Sequence, residues 1–277
     1  MSAYVSFQLF SSGYCTAPDW FMAAGGTLRR VRVPAAWALI RHPQEGPILL
    51  DTGYGMQFQA LTRRWPARFL RYATPMTLLP EQTAARKLGQ LGIRPEDIRH
   101  ILLTHLHTDH SGGLRSFPAA RIWCSEAAIE YFRSHSEREA AAKGVLKGDF
   151  PDDFLERALP VEQCPADAWE DWPQAYDLFG DGSIRMLPLP GHARGQMGAV
   201  LRTDTEGEVL LAADACWVSR SYRSLRMPFP LARLVMDDPA AFRRSLEQLH
   251  ALHRRRPELP ILPCHCPEVF EARIGAY

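Results

Sequence analysis

The chain has 277 residues, a 46% share of apolar residues, a 23% share of charged residues and a formal net charge of +1. These values are typical of an ordinary globular protein, and the near-neutral charge argues against a long basic surface for nucleic acid. The N-terminus lacks the pattern of a secretory signal, and no apolar run approaches the roughly 20 residues that cross a bilayer. The six cysteines are scattered, which favours a reduced protein in the cytoplasm.

The first hundred residues predict mainly strands. Apolar runs between turn signals indicate strands at 4–10, 31–41 and 47–51, and a helix is predicted at 80–92 between Pro80 and Gly92. The segment near 57–75 is rich in arginine and aromatic residues. We expect it to be an excursion whose arginines are solvated and whose rings cover a cleft, although such a segment can also lie on a membrane surface.

A strand predicted at 98–103 runs into the segment Thr-His-Leu-His-Thr-Asp-His-Ser-Gly-Gly. Within six positions it carries four potential metal ligands, namely His105, His107, Asp109 and His110. Three crowded imidazoles have no structural purpose in a core, because each must satisfy two ring nitrogens. Neutral imidazole and carboxylate are the ligands that suit zinc and its neighbours. The segment therefore predicts a metal site.

The remaining elements follow in order. We predict a strand at 121–124, a helix capped by Ser125 that reaches about residue 134, and an insertion or lid near 136–172. Strands are predicted at 174–179, 183–189, 198–203, 208–213 and 261–263. A further basic and aromatic excursion lies near 218–235, and a long helix is predicted at 239–256. We expect one α/β domain of two packed sheets.

Three other predicted strands end in a potential ligand, His192, Asp214 or His265. Loops at strand ends can bring such residues to a shared rim, although spacing alone does not show that they meet. Asp51 also follows a buried strand, and either caps a turn or accepts a hydrogen bond from a ligand histidine. Cys264 and Cys266 flank His265, and on an extended segment both thiols are expected to point away from the metal and to pack.

Five segments in this order resemble the metallo-β-lactamase superfamily. They are Asp51-Thr-Gly, the histidine-rich segment, Pro-Gly-His192, Ala-Asp214-Ala and Pro-Cys-His265. The resemblance covers nearly the whole chain, so that one domain is expected over 1–277. It implies an αββα sandwich, in which two mixed sheets are flanked by helices and a two-metal site lies between the sheets.

The resemblance also implies the ligands. One divalent ion would be held by His105, His107 and His192, the other by Asp109, His110 and His265, and Asp214 would bridge them. Asp51 would then support a ligand histidine. Zinc is the first choice, and iron, manganese and cobalt accept the same ligands. The implied reaction is attack by a hydroxide that bridges the ions, with Asp109 returning a proton to the leaving alkoxide.

Within the superfamily the chain looks most like the N-acyl-homoserine lactonases, which implies a small lactone or other carboxylic ester as substrate. It differs from them at Trp217, where those lactonases carry a tyrosine, and at Gln196, where many relatives carry a histidine. A glyoxalase-II-like thioesterase is the alternative, and a metal-bound regulatory or binding protein is a more distant one. Asp214 stands where the true β-lactamases have a cysteine, which argues against antibiotic hydrolysis.

The second excursion is expected to contribute a substrate pocket. Trp217, Tyr222, Met227 and Phe229 would line it for an apolar acyl or aromatic group, and the alternative is that they pack beneath the excursion. No nucleic-acid partner and no stable membrane insertion are expected. The oligomeric state is open, and a homodimer is compatible with the sequence.

Overall fold

The structure is a computed structural model that describes residues 3–274. Its strands are distributed over two sheets. The strands are β1 Ser6–Pro18, β2 Arg30–His42, β3 Gly46–Leu50, β4 Met76–Thr77, β5 His100–Leu102, β6 Arg121–Cys124, β7 Ala158–Pro160, β8 Ala166–Trp169, β9 Trp172–Asp177, β10 Ile184–Pro188, β11 Met197–Thr203, β12 Gly207–Leu211 and β13 Ile261–Leu262.

Both sheets mix parallel and antiparallel pairs. The first has seven strands in the order β4-β1-β2-β3-β5-β6-β7, and the second has six in the order β13-β12-β11-β10-β9-β8. In the first sheet β1, β2 and β3 pair antiparallel, whereas β3, β5, β6 and β7 pair parallel. In the second sheet only the β12–β13 pair is parallel among the described strands.

Helices cover the outer faces of the sheets. The α-helices are α1 Asp19–Met22, α2 Phe58–Leu61, α3 Arg68–Ala73, α4 Ala84–Gln90, α5 Thr108–Ser111, α6 Glu126–Ser134, α7 Glu137–Ala142, α8 Phe154–Arg157, α9 Ser219–Ser224, α10 Pro239–Arg255 and α11 Pro267–Ile274. None of the described helices is both long enough and apolar enough to span a membrane.

Side-chain alternation along the strands produces the layers. Successive residues of a strand point to opposite faces. In β3, Ile48 and Leu50 enter the apolar cluster between the two sheets, while Leu49 enters the cluster beneath α4 and α6. In β12, Val209 and Leu211 likewise face the first sheet, while Leu210 packs against α10. These layers form the αββα sandwich that the resemblance implies.

Most predicted elements are present, and two differ for physical reasons. The helix predicted at 80–92 is split into a 3-10 turn at Pro80–Gln82 and α4, because Thr83 between them is extended and its hydroxyl donates to Pro80 O. Strand β1 continues beyond residue 10 to Pro18, because a bulge between Ser11 and Tyr14 lets it keep pairing with β2.

The segment near 136–172 connects the two sheets. Its strand β7 pairs with β6 at one edge of the first sheet, and its strand β8 pairs with β9 at one edge of the second. Its N-terminal part contains α7 and α8. The expected insertion or lid is therefore partly sheet structure, which its charged, proline-rich sequence did not indicate.

Candidate metal centre

Strand directions bring the predicted ligands to one edge of the sandwich. In the first sheet β3 and β5 are parallel, so Asp51 and the segment 104–110 follow strand ends on the same side. In the second sheet β10, β12 and β13 share one direction, because β11 is antiparallel to both β10 and β12. His192, Asp214 and His265 follow those three strands. Both sheets thus contribute to one cluster.

The first group consists of three histidines. His107 Nδ1 lies 3.1 Å from His105 Nε2 and 2.9 Å from His192 Nε2. The three ligand atoms lie within 4.8 Å of one another, an arrangement that can hold a metal ion.

The second group surrounds Asp214. Its Oδ1 lies 3.3 Å from His110 Nε2, and its Oδ2 lies 3.2 Å from His265 Nε2. The same Oδ2 is 3.0 Å from His192 Nε2, so this carboxylate lies between the two groups. Asp109 Oδ2 is slightly farther out, at 3.4 Å from His265 Nε2 and 3.8 Å from His110 Nε2.

Hydrogen bonds to the opposite ring nitrogens orient the histidines. Asp51 Oδ2 lies 2.7 Å from His110 Nδ1, and Pro34 O lies 2.8 Å from His265 Nδ1. Thr104 Oγ1 lies 3.1 Å from His105 Nδ1. Such partners fix the ring orientation of a ligand histidine and leave its other nitrogen free for a metal. Asp51 adopts a left-handed φ of 59°, as residues under functional constraint often do.

The two groups differ in their affinity for protons. Burial lowers the pKa of His105 well below its ordinary value, lowers that of His107, and lowers that of His192 to about 3. Burial also opposes charge on His110 and His265, but nearby carboxylates outweigh it and raise the pKa of both. Neutral imidazoles in the first group are ready to bind a cation.

The buried donor set fits divalent metal. His110 is completely buried, and among the described residues its Nε2 makes no well-aligned hydrogen bond, although Asp214 Oδ1 lies 3.3 Å away. Burial would raise the pKa of Asp214, yet His265, His192 and His110 hold it well below its usual range. A buried anion among imidazole nitrogens is the environment in which a borderline cation such as zinc is bound.

A model of the metallo-beta-lactamase superfamily matches residues 30–259. The chain belongs to the metallo-beta-lactamase superfamily. It is 30% identical to a probable metallo-hydrolase of Mycobacterium tuberculosis over 84% of this chain and 75% of the relative. It is 26% identical to the N-acyl homoserine lactonase AiiB of Agrobacterium fabrum over 89% of this chain and 84% of the relative. These relatives confirm the prediction of a metal-dependent hydrolase.

Solved structures confirm the superfamily fold. An N-acyl homoserine lactone hydrolase with N-hexanoyl-L-homoserine bound superposes with a TM-score of 0.75, at 20% identity and over 98% of this chain and 97% of the other. The dizinc lactonase AidC superposes with a TM-score of 0.64, at 15% identity and over 96% and 90% of the two chains. At these identities the likeness concerns the fold.

Cys264 is a member of the second group that the sequence did not predict. Its Sγ lies 2.7 Å from Asp214 Oδ1, and it belongs to the set of ligand atoms within 4.8 Å that also includes His110 and His265. The expectation that its thiol points away is wrong, because the chain turns after β13 and the alternation of an extended strand no longer applies. Cys266 does pack in the core, where Ser219 N donates to its Sγ.

Trp217, which the resemblance places where the lactonase branch carries tyrosine, contacts Asp214. Its Nε1 donates to Asp214 Oδ2 at 3.1 Å, and its ring lies 5.7 Å from that of His192. Gln196, the other departure, is buried and donates to Leu189 O. Both side chains therefore have defined hydrogen-bond partners.

The structure places the residues predicted to line a pocket in different surroundings. Tyr222 is buried in the core beneath α10, and its hydroxyl donates to Ile261 O. Trp217 belongs to the same core cluster, but its indole reaches Asp214 and His192, and Met227 packs against that cluster. Phe229 is partly exposed, and Phe21 lies between it and Trp217, with ring centroids 6.4 Å from Phe229 and 6.5 Å from Trp217. Phe21 comes from α1, which the sequence did not connect to the site.

A cleft of about 410 Å³ opens beside the first histidine group. His107 and His192 form part of its wall, together with Lys143 and Tyr131. The hydroxyl of Tyr131 is buried and has no hydrogen-bond partner among the described residues. Gly144 lies against His107, where an added Cβ would come within 3.2 Å of the ring. The cleft therefore reaches the candidate metal ligands directly.

Proposed function

We propose that this chain is a dinuclear metallohydrolase that opens a lactone or another carboxylic ester. The observation that carries the proposal is the position of Asp214, whose two oxygens face imidazoles of both histidine groups. An anion between two cation positions is what a two-metal hydrolytic site requires. Relatives named as N-acyl homoserine lactonases support an ester bond as the target.

The proposed ligands are those that the superfamily resemblance implies. His105, His107 and His192 would hold one ion, and Asp109, His110 and His265 would hold the other, with Asp214 contacting both. Two divalent ions, when bound there, supply the acidity that makes water nucleophilic at neutral pH and the positive charge that stabilises a developing oxyanion. Zinc is the proposed metal, in keeping with the imidazole-rich donors.

We assign proton transfer to Asp109. It is the most exposed carboxylate of the cluster, with a side chain 21% accessible, whereas the Asp214 side chain is only 3% accessible. A carboxylate at the border between the cluster and solvent can accept a proton from the attacking water and return it to the leaving alkoxide.

The substrate would enter through the cleft beside His107 and His192. Tyr131 can hydrogen-bond a polar group of the substrate, because its hydroxyl is otherwise without a partner. The aromatic surface formed by Trp217, Phe21 and Phe229 would bind the apolar part, since flat rings bury much apolar area. A lactone or ester with an acyl or aromatic substituent has both features.

The test is a comparison of substrates with defined metal content. The purified protein is stripped with a chelator and reloaded with zinc, and turnover is measured on an acyl-homoserine lactone, an aryl ester and a glutathione thioester. We expect about two ions per chain. We also expect zinc-dependent turnover of the lactone or of the aryl ester. Preference for the thioester would instead identify a glyoxalase-II-like enzyme, and no turnover with two bound ions would identify a binding protein.

The variant Asp214→Ala tests the ligand assignment in the same assay. We expect metal content below two ions per chain and loss of turnover. The matched control is Asp152→Ala, because the Asp152 side chain is 93% accessible and pairs with Arg115 at the surface. Native metal stoichiometry in Asp214→Ala would contradict the proposed centre.

A further inference from the structure

The thiol of Cys264 faces the candidate ligands of the second ion. Its Sγ is 2.7 Å from Asp214 Oδ1, and His110 Nε2 is 3.3 Å from the same oxygen. Sulfur, imidazole nitrogens and carboxylate oxygen all lie within 4.8 Å of one another in the group of His110, Asp214, Cys264 and His265. Asp109 is not part of that compact group.

An independent observation indicates that this group receives a ligand. His110 is fully buried, and its Nε2 lies 3.3 Å from Asp214 Oδ1 without forming a well-aligned hydrogen bond in the described part of the chain. Leaving a buried polar atom without a partner costs about 1–3 kcal/mol, so such an atom calls for an occupant. The Cys264 thiol cannot donate to His110 Nε2 while it donates to Asp214. A cation bound between the two residues would contact both the sulfur and the imidazole nitrogen.

We propose that Cys264 binds the second ion as a thiolate, together with His110, His265 and Asp214. This inference rests on the proposed function, because it concerns one of the two metal positions of that site. On binding, the sulfur–metal bond forms as the S–H bond of Cys264 breaks, and the proton leaves to solvent. Cys264 would then take the ligand position assigned above to Asp109, whose carboxylate lies farther out and is left available for proton transfer.

The consequence is a preference for thiophilic metals at this position. Thiolate sulfur favours zinc and cobalt, whereas manganese prefers carboxylate, carbonyl and water oxygens. The first position offers three imidazoles and no sulfur. The two positions of one centre would therefore differ in metal selectivity, and the cysteine would reduce exchange of the second ion for manganese.

Cobalt provides a direct test, because thiolate bound to Co(II) gives a near-ultraviolet charge-transfer absorption that imidazole and carboxylate ligands do not give. Native protein loaded with two Co(II) ions per chain should show the band, and Cys264→Ser should lose it. Serine keeps a hydroxyl that can donate to Asp214 Oδ1, so the variant removes the sulfur while retaining the hydrogen bond. The matched control Cys266→Ser should keep the band, because Cys266 packs against Ser219.

Metal titration supplies a second readout that does not depend on turnover. In Cys264→Ser we expect the affinity for the second zinc ion to fall more than about tenfold, which is the lower end of the loss seen when a group that merely supports a ligand is removed. Manganese affinity should change less, so the zinc-to-manganese preference should fall about tenfold or more.

The outcomes separate this inference from the proposed function. Two bound Co(II) ions without the band, or a band that persists in Cys264→Ser, would overturn the thiolate ligand and leave the two-metal centre in place. Failure of the native chain to take up cobalt or zinc would overturn both. A band that is lost only in Cys264→Ser supports the inference.

Discussion

Both carboxylate oxygens of Asp214 have specific neighbours. Trp217 Nε1 donates to Oδ2, and the thiol of Cys264 donates to Oδ1. The residue before it, Ala213, takes a left-handed φ of 46°, which is unfavourable for a residue with a Cβ. These features hold one carboxylate between two histidine groups at a conformational cost, as expected where position matters more than stability.

The sequence was sufficient to predict which residue types form the centre, but only some of the groups that contact them could be predicted. Histidine and aspartate at strand ends indicate metal binding because few structural roles explain such clusters. Asp51 had two interpretations in the sequence, and the structure places it against His110. Cys264 escaped prediction because its direction depends on a turn, and the alternation rule assumes an extended chain. For Tyr222 the sequence left open a pocket or packing beneath the excursion, and in the structure α9 directs its side chain into the core.

Replacement of Asp109 by asparagine tests its role in proton transfer. The amide keeps the shape and one oxygen, but it cannot accept and return a proton. We expect metal content close to native and a fall in kcat of roughly 10²- to 10⁴-fold, the usual contribution of general acid–base catalysis. Turnover and metal content are measured together, with Asp152→Asn as the exposed control. Native kcat in Asp109→Asn would exclude the role.

At the scale of elements, a hydrogen-bonded link connects the first excursion to the ligand segment. Gln57, just before α2, donates from Nε2 to Gly112 O at 2.6 Å and to Asp149 Oδ1 at 2.9 Å. Gly112 is the first of the two glycines that end the histidine-rich segment, and a Cβ there would lie 2.4 Å from Gly55 N. The excursion near 57–75 and the segment near 136–172 thus both support the ligand segment.

Asp149 makes this link sensitive to pH. Burial raises its pKa to about 7, although Gln57 donates a hydrogen bond to it. Its ordinary pKa is 3.8, so the folded state binds an additional proton between about pH 4 and pH 7. The free energy of unfolding therefore falls as pH rises from about 4 to about 7. Above that range the buried Asp149 carboxylate is charged, and its full cost is present.

Asp149→Asn should remove this cost. We expect the free energy of unfolding at pH 8 to exceed that of the native protein by about 1–3 kcal/mol, since a shift of one pKa unit corresponds to about 1.4 kcal/mol and asparagine can still accept from Gln57. Near pH 4 the difference should become small. Denaturant unfolding at both pH values measures the effect, with Asp152→Asn as control. A variant less stable than native at pH 8 would show that the carboxylate stabilises the fold.

Element predictions succeeded where the pattern was strong. Strand β6 and helices α6 and α10 lie where they were predicted, and the caps Ser125 and Asp238 accept hydrogen bonds from backbone N–H groups of those helices. The second half of β1 was missed, because its Ser-Ser-Gly sequence lacks apolar alternation and only its pairing with β2 makes it a strand. Pairing between distant segments is not visible in a local pattern.

At the scale of the whole molecule, the site depends on the packing of two sheets. Spacing along the chain could not show that His192 meets His107, since 85 positions separate them and their strands belong to different sheets. The resemblance of five ordered segments supplied that expectation, and the parallel directions of β10, β12 and β13 provide its physical reason. A ligand that bridges both sheets should also stabilise the fold by mass action.

Acidification should empty the two metal positions in sequence. Carboxylates raise the pKa of His110 and His265 although burial opposes them, whereas burial lowers the pKa of His105, His107 and His192. Below their raised pKa values the second group is protonated, and each proton that must leave weakens metal binding by about tenfold per pH unit. The first group stays neutral over the same range, so its ion faces no such competition.

We therefore expect zinc content to fall from two ions to one per chain as pH is lowered from 8, and to reach zero only at more acidic pH. Equilibrium dialysis against buffered zinc followed by metal analysis gives the stoichiometry at each pH, and thermal unfolding in the same buffers should show two decreases in Tm. His265→Ala is the informative variant. It lacks a ligand of the second ion, so it should show only the loss of the first ion at more acidic pH. Simultaneous loss of both ions from the native protein would contradict this difference between the two groups, since their ligands would then bind protons alike.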